Sequence, residues 1–183
     1  RDDGKRKLQN GCLNPEKFGP NSVVALSLCG FYSAGDLDNG VVVTLGAINQ
    51  DSGTLGIEGY EFTVTPATGA TTGDVWVVAS PEVGSTIDQQ ILSDPRYFYN
   101  AQGLPMSLKY LNAGVDCIEV TAECFTNTTL PSTGNTYVVI GAGGKFTAQA
   151  SAPTTVNQPY FTLVGLHTVT IGATEVPTAV LKF

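Results

Sequence analysis

The chain has 183 residues, with 9 basic and 16 acidic side chains and a formal charge of −7. This length suits one domain with its own hydrophobic core, and the acidic balance argues against a basic nucleic-acid-binding domain. With 42% hydrophobic residues, 21 Gly and 22 Thr, the composition excludes intrinsic disorder and is atypical of a helical protein.

Residues 1–21 are polar and rich in turn formers, which predicts an extended amino-terminal arm that precedes a single domain at 22–183. Residues 1–10 carry a net +2, whereas the rest of the chain carries −9. The arm, or a segment upstream of it, is therefore the expected contact with nucleic acid, and a solvated chain end is the alternative. Its basic side chains are Arg1, Lys5, Arg6 and Lys7.

The first half of the domain alternates short apolar runs with turns, which predicts a series of strands. The dipeptide Asn39-Gly40 is a strong hairpin signal between two of these runs. Further on, Thr86 and Gln89 have the spacing of a helix capping box, so residues 86–93 are predicted as one short helix. The predicted strands of this half are residues 22–28, 41–48, 60–65 and 75–79.

The second half continues the same pattern, with a glycine-rich hairpin turn predicted at residues 141–144. Its predicted strands are residues 106–111, 115–125, 137–140, 144–150, 160–171 and 178–183. About ten strands with almost no helix predict an all-β protein. We expect an antiparallel β-sandwich of the jelly-roll type, with the short helix in a loop and the arm extended.

The cysteines leave two alternatives open. Cys12 and Cys29 are spaced to close a short loop if the compartment is oxidising, and buried free thiols are the other interpretation. Cys117 and Cys124 are seven residues apart on one predicted strand, so they point to opposite faces and cannot bond to each other there.

Two further motifs concern ligands and modification. Asp36 and Asp38 open an oxygen-rich loop, but the glutamate that completes a calcium loop is missing. The loop is therefore interpreted as a weak calcium site at most, and a solvated turn is the alternative. No other cofactor is expected. Asn127 begins an Asn-Thr-Thr glycosylation sequon, which matters if the chain follows a secretory route.

No catalytic motif is present, and the protein is not expected to be an enzyme. The lone histidine, His167, lies by alternation on the same face as Phe161, Leu163 and Gly165, which favours a structural role over a catalytic one. Carboxylates that could pair for acid–base chemistry are spread along the chain, as in any acidic β-protein. They are Glu61, Asp74, Asp116, Glu119 and Glu123.

Two stretches carry a family resemblance. Residues 60–79 (YEFTVTPATGATTGDVWVVA) and 127–153 (NTTLPSTGNTYVVIGAGGKFTAQASAP) resemble the central hairpin and the closing strands of single jelly-roll coat proteins. These proteins come from small icosahedral positive-strand RNA viruses of the tombusvirus- and sobemovirus-like group. The resemblance implies a coat protein within a virion. The chain departs from the family in that its basic arm is short.

Three functions are therefore expected in order of preference. The first is a capsid subunit that assembles with copies of itself. The second is a secreted fibre or pilus subunit, an extracellular filament whose copies complete one another's sheets with a terminal strand. The third is a carbohydrate-binding β-sandwich, for which the aromatic side chains of Trp76, Tyr97, Phe98 and Tyr99 offer a stacking platform. No apolar run is long enough for a membrane span.

Overall fold

The computed structural model describes residues 27–48, 61–82, 95–171 and 173–183. The strands of the first half close into a five-stranded barrel with the order β1-β3-β2-β4-β5, in which β5 returns to pair with β1. These strands are β1 (Ser27–Phe31), β2 (Val42–Ile48), β3 (Glu61–Pro66), β4 (Trp76–Val78) and β5 (Pro105–Tyr110).

The strands of the second half form an open, antiparallel five-stranded sheet with the order β6-β10-β9-β7-β8. They are β6 (Cys117–Thr121), β7 (Tyr137–Ile140), β8 (Phe146–Gln149), β9 (Tyr160–Ile171) and β10 (Thr174–Lys182). The described helical residues form 3-10 turns at Pro95–Tyr97, Ala122–Cys124 and Ala142–Gly144. The fold is therefore all-β, as predicted.

Alternation along the barrel strands builds two cores. Val41 and Val43 point into the barrel, while Val42 between them points out and packs on the second sheet. By the same alternation, Val78 on β4 points into the barrel and its neighbour Val77 points out of it. The core between the barrel and the sheet also contains Phe125, Phe146, Phe161, Ile118 and Leu181. Strands with apolar residues on both faces are what this double packing requires.

The sheet approaches the barrel closely at the turn between β7 and β8. Gly144 has φ +73°, and its amide donates to the carbonyl of Ala67 at 2.8 Å. A Cβ at Gly144 would collide with the carbonyl oxygen of Val42. Glycine is therefore required here both by the backbone conformation and by the space.

Most strands lie where the alternation predicts them, and β7 and β9 have the predicted bounds. The predicted strand at 115–125 instead ends at Thr121 and continues as a 3-10 turn. The hairpin predicted at Asn39-Gly40 is wrong, because β1 pairs with β3 and β5 rather than with β2. The dipeptide still makes a turn, and the amide of Gly40 donates to Val78.

The jelly-roll part of the prediction is not confirmed. The first five strands form a closed barrel and the last five form the sheet, so the two layers do not exchange strands. The pair β1–β3 is parallel, which also departs from the predicted antiparallel pattern. The predicted arm at 1–21 and the predicted helix at 86–93 lie outside the described residues.

Candidate functional site

The hairpin formed by β9 and β10 extends beyond the rest of the sheet. Strand β7 pairs with β9 only at Tyr160–Thr162, with one more bond from the amide of Leu163 to Thr136. Strand β6 pairs with β10 from Thr178 onward. Residues 164–171 and 174–177 therefore form a two-stranded ribbon, called the ribbon below, and no other described strand pairs with it.

The two edges of the ribbon differ in how they are protected. The β10 edge carries Glu175 and Pro177, and a charge and a proline are both means by which natural sheets prevent further pairing. The β9 edge reads VGLHTVTI over residues 164–171 and contains no Lys, Arg, Asp, Glu or Pro. Val164 and Leu166 on this strand are 60% and 50% exposed. Among the described strands, the β9 edge of the ribbon therefore has no partner and could accept another strand.

A β-bulge at Val164 marks the base of the ribbon. Strand β10 advances by one residue, from Leu181 to Val180, while β9 advances by two, from Leu163 to Gly165. The bulge inverts the alternation, so that His167 lies on the face opposite to Phe161. The predicted shared face for these residues is therefore wrong, because alternation holds only in an unbulged strand.

His167 instead approaches a buried carboxylate. Glu119 on β6 is 1% exposed, and its Oε1 accepts a hydrogen bond of 2.7 Å from the hydroxyl of Thr178. The Nδ1 of His167 lies 3.9 Å from the same oxygen, which is an ion-pair distance rather than a hydrogen bond. Burial of a carboxylate is costly without such partners. This arrangement anchors the ribbon to β6.

A second feature is a cleft of about 530 Å³ that opens where the barrel meets the sheet. Its lining comes from the segment before β4, the end of β5 and the turn that follows it, and the loop before β9. The start of β9 and the end of β10 complete it. The polar and aromatic side chains of this tyrosine cleft are Asp74, Tyr110, Asn157, Gln158, Tyr160, Thr162, Lys182 and Phe183. Aromatic and polar groups that converge in one concave site are typical of ligand-binding sites.

Tyr110 in this cleft is held from two sides. Its hydroxyl donates to Oδ1 of Asp74 at 2.9 Å, and this hydrogen bond raises the pKa of Tyr110 above its usual value. Its ring packs against Trp76, with the ring centroids 5.2 Å apart. Tyr160, which also lines the cleft, packs against Tyr137, with the ring centroids 6.2 Å apart. Both tyrosine rings are therefore positioned by neighbours.

The predicted aromatic platform is divided in the structure. Trp76 packs against Tyr110 and the barrel core. Phe98 and Tyr99 line a different cavity, of about 840 Å³, beside Ser27 and Lys109. Tyr110 and Tyr160, which line the first cleft, were not singled out by the sequence, because segments far apart in the chain bring them together.

Three of the four cysteines lie in the described residues, and all three are thiols. Burial, followed by the charge of Glu61, raises the pKa of Cys29. Cys124 packs beneath the turn at Gly40, and its pKa is raised to about 12, first by burial and then by the charge of Asp38. Both thiols are thereby kept protonated, a state that opposes nucleophilic or metal-binding roles. Cys12 lies outside the described residues, and Cys117 on β6 is half-buried.

We predict that Cys124 makes stability fall in alkali. The unfolded thiol ionises near its ordinary value of 9.0, whereas the folded thiol keeps its proton up to about pH 12. The contribution of this thiol to the free energy of unfolding is therefore complete below about pH 9 and is lost as the pH rises from about 9 to about 12. From about pH 8 to about pH 10, the difference in free energy of unfolding between the wild type and Cys124→Ala should shrink by about 1 kcal/mol in urea titrations. A difference that stays constant would contradict this.

The remaining predicted sites have these positions. Asp36 is exposed and accepts a hydrogen bond of 2.8 Å from the amide of Gln102, and Asp38 is half-buried nearby in the same loop. Within the described residues, no three acidic, histidine or cysteine side chains cluster as a metal site would need. Asn127 is exposed in a turn. The basic residues Arg1, Lys5, Arg6 and Lys7 lie outside the described residues.

Two observations bear on the class of protein. Within the parts of the chain that the structure covers, no helix has the length and hydropathy that a membrane crossing requires. Comparison of the chain with protein-family models, with curated proteins and with solved structures gives no match.

Proposed function

We propose that this protein is a structural subunit that assembles with copies of itself, as the coat protein of a virus shell does. The observation that carries the proposal is the β9 edge of the ribbon. It offers eight residues, about 26 Å of extended backbone, that no described strand pairs with and that no charge or proline protects.

A second copy is the partner that fits this edge best. Two identical β9 edges can pair antiparallel about a two-fold axis, which joins both ribbons into one sheet. The chain carries −7 overall, so its copies repel one another over most of their surfaces. The ribbon avoids this repulsion, because Glu175 is its only acidic residue and lies on the other strand.

One strand pairing is smaller than a stable interface, which buries about 1,200–2,000 Å². A closed shell therefore needs further contacts between subunits. The predicted arm at 1–21 is the segment that we propose to supply them, and its basic side chains are the proposed contact with nucleic acid. A secreted filament built by strand complementation is the competing assembly, and the same β9 edge would serve it.

Lysines on the β9 edge are expected to prevent assembly. The double variant Val164→Lys, Leu166→Lys removes two exposed apolar side chains from the proposed interface. It also brings the added lysines of two copies close together, so that their positive charges repel one another. Each substitution should weaken self-association by about tenfold or more, a change of about 1.4 kcal/mol. Sedimentation velocity measures the association, and negative-stain microscopy shows whether the wild type forms shells or filaments.

Val115→Lys is the matched control, because Val115 is 74% exposed in the turn before β6, at the opposite end of β10 from the ribbon. This variant should assemble like the wild type. A wild type that stays monomeric at high concentration contradicts self-assembly altogether. Equal assembly by the ribbon double variant would show that the β9 edge is not the interface. Filaments formed by the wild type, in place of closed shells, would favour the secreted fibre over the virus shell.

A further inference from the structure

We propose that the tyrosine cleft binds a neutral pyranose sugar of a glycan. The proposal does not depend on self-assembly, because the cleft lies at the junction of barrel and sheet, away from the ribbon. Its volume of about 530 Å³ falls within the range of about 300–1,000 Å³ that small-molecule sites occupy.

The charge of the cleft selects the ligand class. The side chains of the lining include one carboxylate, Asp74, and one ammonium group, Lys182, and the other lining side chains are neutral. A phosphate or a carboxylate ligand would have a single cation to bind and would be repelled by Asp74. A wholly apolar ligand would leave these polar groups without water and without partners. A neutral ligand with many hydroxyl groups avoids both costs.

The aromatic side chains add the second requirement of a sugar site. Tyr160 is 41% exposed, so part of its ring is available to a ligand. The negative face of an aromatic ring attracts polarised C–H groups, and a pyranose presents such groups on one face and hydroxyls around its rim. Tyr110 forms part of the same lining, so two rings serve one ligand.

The polar groups are suited to the rim hydroxyls. A carboxylate has about four acceptor positions, and the bond from Tyr110 occupies one of those of Asp74. Gln158 donates through Nε2 to the carbonyl of Gly69 at 3.0 Å, which fixes the amide and leaves its oxygen as an acceptor. Lys182 supplies donors only. Together these groups provide both donors and acceptors, as vicinal hydroxyl groups require.

The cleft is also held in shape before any ligand binds. The amide of Gly73 donates to the carbonyl of Asn157 at 3.0 Å, which joins the segment before β4 to the loop before β9. The amide of Gly114 donates to the carbonyl of Phe183 at 2.6 Å, which joins the turn after β5 to the end of β10. A preformed site loses less entropy on binding than one that must be ordered.

The test is saturation-transfer NMR of the full chain with a panel of neutral methyl pyranosides and, separately, with N-acetylneuraminic acid and glucuronic acid. We expect a neutral pyranoside to bind. Tyr160→Ala and Asp74→Asn should each weaken this binding by about tenfold or more. Tyr160→Phe, which keeps the ring, should weaken binding less than Tyr160→Ala does. Tyr99→Ala, which alters the other cavity, is the matched control and should also bind normally.

Circular dichroism of every variant establishes that the fold is intact. If Tyr160→Ala does not fold, Asp74→Asn still decides the matter, because it tests the same cleft through a different side chain. Binding of the acidic sugars alone would overturn the neutral class. Absence of binding by all the probes, or binding that survives both Tyr160→Ala and Asp74→Asn, would overturn the site.

Discussion

Replacing Phe146 by alanine is expected to lower the free energy of unfolding by about 3–5 kcal/mol. Phe146 is fully buried between the barrel and the sheet. Its ring centroid lies 5.1 Å from that of Phe161, edge to face, and 5.7 Å from that of Phe125. Truncation removes both aromatic contacts and leaves a cavity that rigid strands close only in part. The melting temperature should fall by roughly 10 °C.

Phe146→Leu is the comparison that isolates the ring. Leucine keeps most of the apolar volume, so its cost should stay below about 1.5 kcal/mol. Urea titrations and thermal melts of both variants measure the difference. If leucine and alanine cost the same, the loss comes from the aromatic contacts of the ring rather than from the cavity that alanine leaves.

Gly144→Ala is the second large effect. The new Cβ meets the carbonyl oxygen of Val42, and the residue must also keep φ at +73°. Moving the turn away breaks the 2.8 Å bond from the Gly144 amide to Ala67. Backbone strain of about 1–2 kcal/mol and overpacking of about 1–3 kcal/mol add, so the free energy of unfolding should fall by about 2–5 kcal/mol.

A substitution at the adjacent glycine separates the cost of backbone strain from the cost of overpacking. Gly143 also has a positive φ, of +67°, but a Cβ there meets nothing within 4 Å. Gly143→Ala should therefore cost only the strain of about 1–2 kcal/mol. The difference between the two variants, measured by chemical unfolding, is the cost of forcing the sheet away from the barrel. Equal losses at both positions would show that this approach is not tight.

The local sequence pattern was sufficient to predict where most strands lie, but it was not sufficient to predict which strands pair. Strand β9 has the predicted bounds because turn formers flank a run that consists mostly of apolar and β-branched residues. The partner of β1 could not be predicted from Asn39-Gly40, because a turn signal specifies a change of direction and not which strands meet. Closure of the barrel joins Ser27 to Lys109, a pairing of distant residues that no short window contains.

The candidate sites show the same division. The uncharged run at 164–171 is visible in the sequence, but its exposure depends on how far β7 extends along β9. The bulge at Val164 has no sequence signal beyond the neighbouring Gly165, and it alone reverses the face of His167. The tyrosine cleft could not be found from sequence, because the segments around Asp74, Tyr110 and Tyr160 are joined only by the fold.

The division of the chain into a barrel and a sheet has a consequence for its synthesis. Every described pairing of the barrel involves residues at or before Tyr110, so the ribosome delivers all five barrel strands before it makes β6. Each pairing of the sheet, in turn, involves residues from Cys117 onward. The nascent sheet therefore meets a surface of Val42, Val75 and Val77 whose strands already exist, and the open β9 edge is made among the last parts of the molecule.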